Sequence, residues 1–162
     1  MGGRGRQNVG AVVLVGATLL AGACAGQSAA PHPTAPPSPA RQYLRIAEPA
    51  NGRLEIDFDR LAGRDRAHLA SAQRDLRDAA STERLFDRDI LTLSLPPAVE
   101  VTARDLVRVN ESRARLTLTF SADHSLQQLA DDEKILTAAN GAVEDAVRSV
   151  RRQLGLPPPS TS

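Results

Sequence analysis

Residues 125–154 read SLQQLADDEKILTAANGAVEDAVRSVRRQL. Apolar side chains fall at Leu129, Leu136, Ala139, Val143, Ala146, Val147, Val150 and Leu154, a spacing of threes and fours that lines one face of an α-helix. Ser125 and Gln128 form a capping box at the start. Asp131, Asp132 and Glu133 follow early, where the helix dipole favours acid. Gly155 and the prolines from Pro157 onward close the segment. Asn140-Gly141 is a turn dipeptide, but the apolar phase runs through it from Ala139 to Val143 and Ala146, and a chain-reversing turn would not preserve that phase.

Working back along the chain, the same period recurs three times. Val99, Ala103, Leu106, Ala114 and Leu118 define a third segment, opened by Pro97 at its first turn and followed by a short loop at Ala122 to His124. Leu69, Ala72, Leu76, Ala79, Phe86 and Ile90 define a second, with Asp65 as the expected cap and Pro96-Pro97 as the stop. Tyr43, Ala47, Ala50, Leu54, Phe58 and Leu61 define the first, stopped at Gly63. Pro49 and Asn51-Gly52 interrupt it, yet Ala47, Ala50 and Leu54 stay in phase. The expectation is a kink before Pro49, with a break at Gly52 as the second choice. Short connections between amphipathic helices make antiparallel neighbours, so the fold class is all-α, an up-down-up-down four-helix bundle over 40–156. A composition of 41% hydrophobic but 2% aromatic residues suits such an aliphatic core.

The remaining residues have a different character. Arg4 and Arg6 precede an apolar run, Val9 to Leu20, that is shorter than the roughly 20 residues a membrane span needs, and small residues lead into Cys24. Residues 1–23 therefore read as an export leader. Cys24 is the sole cysteine, so no internal disulfide is available. Residues 24–39 hold Pro31, Pro33, Pro36, Pro37 and Pro39 among Ala and Ser and read as a disordered linker, with His32 part of that stalk. Residues 157–162 form a disordered tail.

The run ending Ala21-Gly22-Ala23-Cys24 resembles the lipobox of bacterial lipoproteins, with Ala21 where leucine is usual. The resemblance implies cleavage before Cys24, a diacylglycerol on its sulfur with fatty chains such as palmitate, and a protein held by lipid on the extracytoplasmic face of the cell membrane. Together with the Arg-rich helical domain and the Gly-Leu-Pro-Pro-Pro ending, the chain resembles uncharacterised helical lipoproteins of high-GC Gram-positive bacteria. That likeness carries no activity with it.

Chemistry is sparse. There is no phosphate-binding glycine motif, no nucleophile elbow, no HExxH and no di-iron Glu-x-x-His repeat. Asp65-x-x-His68 reads as cap and solvated turn rather than metal ligands, and Asp123-His124-Ser125 as a polar turn before a cap rather than a triad. Without the leader, 18 basic residues face 19 acidic ones, which gives no electrostatic reason for nucleic acid as partner. No cofactor, metal or enzymatic activity is expected.

One constellation stands apart. Asn51, Asn110 and Asn140 each fall in or beside an apolar stripe near mid-helix, and Glu83 interrupts the second stripe about a turn away. Counted from Asp123, Asn110 lies 13 residues back and Asn140 lies 17 on, a height difference of about 6 Å at 1.5 Å per residue. These four residues are the expected polar core layer, either structural or lining a small-ligand site. Two functions follow as expectations: a non-enzymatic interaction module docking on an envelope protein, or a lipoprotein that binds a small ligand in this layer.

Overall fold

The structure is a computed structural model that describes residues 36–159. The leader 1–23, Cys24, most of the linker and the final residues 160–162 lie outside the described residues. Four helices follow one another: α1 (Pro39–Ala62), α2 (Leu69–Ile90), α3 (Pro97–Phe120) and α4 (Leu126–Gln153). Their lengths of 24, 22, 24 and 28 residues are close enough to pack along their whole extent. Each packs on its sequence neighbour, α1 on α2, α2 on α3 and α3 on α4, as the expected up-down-up-down bundle. Among the described residues no helix is long and apolar enough to cross a membrane.

Local signals set the helix ends. Ser38 caps α1 by accepting from the Arg41 N–H at 3.3 Å, so the helix begins at Pro39, just inside the stretch read as linker. Gly63 terminates it, and a Cβ at that position would lie 2.9 Å from the Asp59 carbonyl oxygen, which leaves room only for glycine. α1 runs unbroken through Pro49 and Asn51-Gly52, so the alternative break at Gly52 does not occur. Burial of Ala47, Ala50 and Asn51 on both sides of the proline holds the helix together where its own hydrogen bonding is interrupted.

Asp65 does not cap α2. The cap position belongs to His68, which makes no side-chain cap bond, and Asp65 instead uses its carbonyl to accept from the His68 N–H in the preceding turn. Ser125 does cap α4, accepting from the Gln128 N–H at 3.1 Å, while the Gln128 side chain reaches back one residue further, to the His124 N–H. At the other terminus Gly155 takes φ 69°, the left-handed conformation glycine tolerates, and the Leu156 N–H returns to the Arg151 carbonyl. The Arg151 side chain donates from Nε to the Pro157 carbonyl at 2.6 Å, so Pro157, placed with the tail from sequence, is tied to the end of α4.

Two apolar clusters fill the interior. One joins Tyr43 and Ala47 of α1, Ile90 of α2, Val99, Ala103 and Leu106 of α3, and Val143, Val147 and Val150 of α4. It occupies the end where the chain enters at Pro39, here the near end. The other joins Phe58, Leu76, Ala79, Phe120 and Leu136 at the far end, under the α1–α2 and α3–α4 loops. Both clusters, with the side chains packed against them, fall within Tyr43–Leu156 among the described residues. Leu118 is not part of this core. It is 38% exposed, and Thr117 and Phe120 are buried in its place because the stripe on α3 rotates by one residue toward its end.

Leu106 and Leu118 should therefore respond differently to truncation. Leu106→Ala, at a fully buried site, is expected to cost about 2–5 kcal/mol, and Leu118→Ala under about 1 kcal/mol, measured as shifts in urea unfolding free energy.

Candidate functional site

Between the two apolar clusters lies a layer of polar side chains. Asn51 of α1, Glu83 of α2, and Asn110 and Arg113 of α3 line a cavity of about 30 Å³, with Ala50, Leu54, Phe86, Leu106, Val143 and Val147 as its apolar walls. That volume is room for about one or two water molecules. Periodicity put these groups here: Asn110 and Arg113 continue the stripe of Ala103 and Leu106, and Glu83 continues that of Leu76 and Ala79.

Glu83 is 1% exposed and Arg113 is 5% exposed, and Arg113 Nη2 lies 2.6 Å from Glu83 Oε1. The approach is off the N–H direction, so neither Glu83 oxygen accepts an aligned hydrogen bond, and Arg113 Nε also lacks a partner within the described residues. The guanidinium lies over the Phe58 ring at 5.5 Å from its centroid, so one side chain from α3 engages both α2 and α1. Asp87, one turn below Glu83 and also buried, accepts from Asn110 Nδ2 at 2.9 Å through one oxygen, while its other oxygen has no partner.

Of the four expected layer residues, Asn51, Glu83 and Asn110 converge on the cavity, whereas Asn140 does not line it. Asn140 is half-buried, its Oδ1 enclosed without a hydrogen-bond partner. Asn51 Nδ2 is enclosed without one as well. Sequence reading missed Arg113 and Asp87. Arg113 stands three residues after Asn110 and Asp87 four after Glu83, helical spacings that repeat each face, and these offsets are the signal that would have found both.

The electrostatics follow from burial. Two carboxylates and one guanidinium share the layer, so one acid has no cation of its own. Burial pushes the Glu83 carboxyl up to about 7, against the pull of Arg113 and Arg84. Burial also pushes Asp87 up to about 7; the Asn110 hydrogen bond and Arg113 lower it, and Glu83 and Glu111 raise it further.

Other candidates take structural roles. Ser125 Oγ is the α4 cap and His124 is exposed, so Asp123, His124 and Ser125 do not form a triad. Asp123 is buried, and its carbonyl accepts from Gln73 Nε2 at 2.8 Å, docking the α3–α4 loop onto α2. Among the described residues no group of three or more His, Cys, Asp and Glu side chains is arranged to hold a metal ion. Comparison with protein-family models, curated proteins and solved structures finds no match for the chain.

Two measurements probe the layer. Glu83 and Asp87 ionise less readily in the folded protein than in the unfolded chain, where carboxyls titrate near about 4. Their contribution to stability is complete below that range and is lost as pH rises through about 7. Unfolding free energy should thus fall between about pH 4 and 8, and Asp87→Asn should flatten the curve. Separately, Arg113→Met leaves Glu83 buried without its cation and should cost about 3–5 kcal/mol, and the double variant Glu83→Met/Arg113→Met should recover most of that loss.

Proposed function

We propose that this chain is a lipid-anchored envelope lipoprotein whose helical bundle acts as a non-enzymatic interaction module. The anchoring part rests on Arg4 and Arg6, the apolar run to Leu20 and the small residues before Cys24. The module part rests on one observation, the small size of the space in the polar layer. A cavity of about 30 Å³ is an order of magnitude below the roughly 300–1,000 Å³ of small-molecule sites, which favours a partner met on the surface. The surface offers a recess between α1 and α2 of about 390 Å³, lined by Arg53, Ile56, Asp57, Arg60, Asp78, Ser81 and Thr82. Ile56 is half exposed at its rim among charges of both signs, a mixture suited to a protein surface.

Ligand capture in the polar layer is the second reading. The unpartnered Asn51 Nδ2 and Glu83 Oε2 favour it, and the cavity confines it to a species of about water size.

Both parts are tested in cells. Wild-type chain should incorporate labelled fatty acid, and Cys24→Ser should abolish the label and release protein to the medium; no label on the wild type would overturn the anchoring. Cross-linking in intact cells should then recover one reproducible protein partner with the lipidated form, and its absence at good recovery moves the weight to the ligand reading.

A further inference from the structure

Three seams of the bundle are tight and the fourth is wide. α1 packs closely on α2, α2 on α3 and α3 on α4, whereas the backbones of α1 and α4, which an up-down-up-down order sets side by side, stay more than 8 Å apart along nearly their whole length. The side-chain bonds between different elements leave this seam uncrossed among the described residues. Gln73 and Arg77 hold the α3–α4 loop, Asn110 and Arg113 hold α2, and Gln153 holds α3. α1 and α4 each keep an enclosed amide atom without a partner, the donor Asn51 Nδ2 and the acceptor Asn140 Oδ1. The polar layer abuts the wide seam, because Ala50, Asn51 and Leu54 of α1 and Val143 and Val147 of α4 wall its cavity.

Charge makes this seam the side that yields. Glu83 and Asp87 of α2 face Arg113 of α3, and the other charged groups acting on the pair are Arg84 and Glu111. α1 contributes Asn51 and Phe58, and α4 contributes Val143 and Val147, so neither helix offers a cation to balance a second negative charge. Ionising both acids leaves the attraction of Arg113 for Glu83 in place, which keeps α2 on α3, while the excess charge calls for water. α1–α2 and α3–α4 are joined by short loops as well as close packing, and the α1–α4 seam has none of these ties. We propose that the α1–α4 seam is a gate over the polar layer: it is shut while Glu83 and Asp87 hold a proton between them, and it parts to admit water when both are ionised, with the other three seams unchanged. Burial holds both carboxyls up to about 7, so the gate is shut in acid and parts as pH rises through that value. Once parted, the seam presents Leu54, Val143 and Val147 as an apolar strip that the shut form covers. The gate depends on the layer alone and stands apart from the lipid anchor and from any docking partner.

The test measures distances between spin labels in the native ensemble, which a minor unfolded population does not shift. Cys24 is the sole cysteine, so the full chain with Cys24→Ser accepts labels only where cysteines are introduced. One pair, Gly52→Cys with Gly141→Cys, spans the wide seam beside Asn51 and Asn140; both glycines are exposed, and a Cβ at either meets nothing within 4 Å. The control pair, Ser81→Cys with Ser112→Cys, stands on exposed positions of α2 and α3. Between about pH 5.5 and 8.5, a window centred on the raised carboxyls, the first distance should lengthen by about 3 Å, the width of a water molecule of about 30 Å³, and the control should stay constant. Asp87→Asn leaves one acid facing one base and should hold the first distance at its acid value throughout. Asp75→Asn, at the far end, should leave the lengthening intact. Circular dichroism verifies folding, and Glu83→Gln, which also leaves one acid and one base, takes the place of Asp87→Asn if that variant does not fold. A first distance that ignores pH, equal lengthening of both pairs, or full lengthening in the balanced variant would overturn the proposal.

Discussion

Burying the Arg113 guanidinium of α3 against α1 and α2 imposes a condition that much of the bundle's register meets. A cation removed from water needs an acid and a π-face or hydrogen-bond acceptors close by, and here Glu83 of α2 and Phe58 of α1 supply the first two. Because the three groups come from three helices, sliding any one helix by a turn, about 5.4 Å, would strand a charge in an apolar surrounding. Apolar stripes alone tolerate such a slip, since one leucine or alanine replaces another at the next turn. The ion pair does not, and this is the physical sense in which it specifies one packing arrangement.

The layer also explains why the interior is two clusters rather than one. Tyr43, Leu106 and Val150 pack below it, and Phe58, Leu76 and Phe120 above, with Asn51, Glu83, Asn110 and Arg113 between them. With Asp87 included, the layer holds two acids and one base, so it is electrically unbalanced and its carboxyls are held above their ordinary range. Far from the layer the loops are fastened by conventional means: Gln73 reaches the Asp123 carbonyl, Gln153 reaches the Thr102 hydroxyl, and Arg151 clasps Pro157. Polar bonds at both ends thus align helices whose middles are aligned by charge.

Helix number, helix order, most caps and the aliphatic character of the core were legible in the sequence, because periods of three and four, Ser125 before Gln128, and Pro97 after a loop are local signals that each helix carries by itself. The composition of the middle layer was partly legible, since an asparagine or glutamate interrupting an apolar stripe is visible without a structure. Arg113 and Asp87 were overlooked because a charged residue reads as solvated until the neighbouring helices are in place, even at a spacing that continues a buried face. Asn140 was placed in the polar layer from its position in or beside an apolar stripe and from its height, but neither fixes the angle about the helix axis closely enough, and in the bundle it does not line the cavity. Asp65 shows the same limit at a helix end, where it serves the turn and His68 takes the cap position. The sequence by itself determined which segments are helices and which faces are apolar, because both depend on neighbours three or four residues away. Only the tertiary structure decided which polar groups meet, because burial and the pairing of charges depend on residues that are distant in the chain.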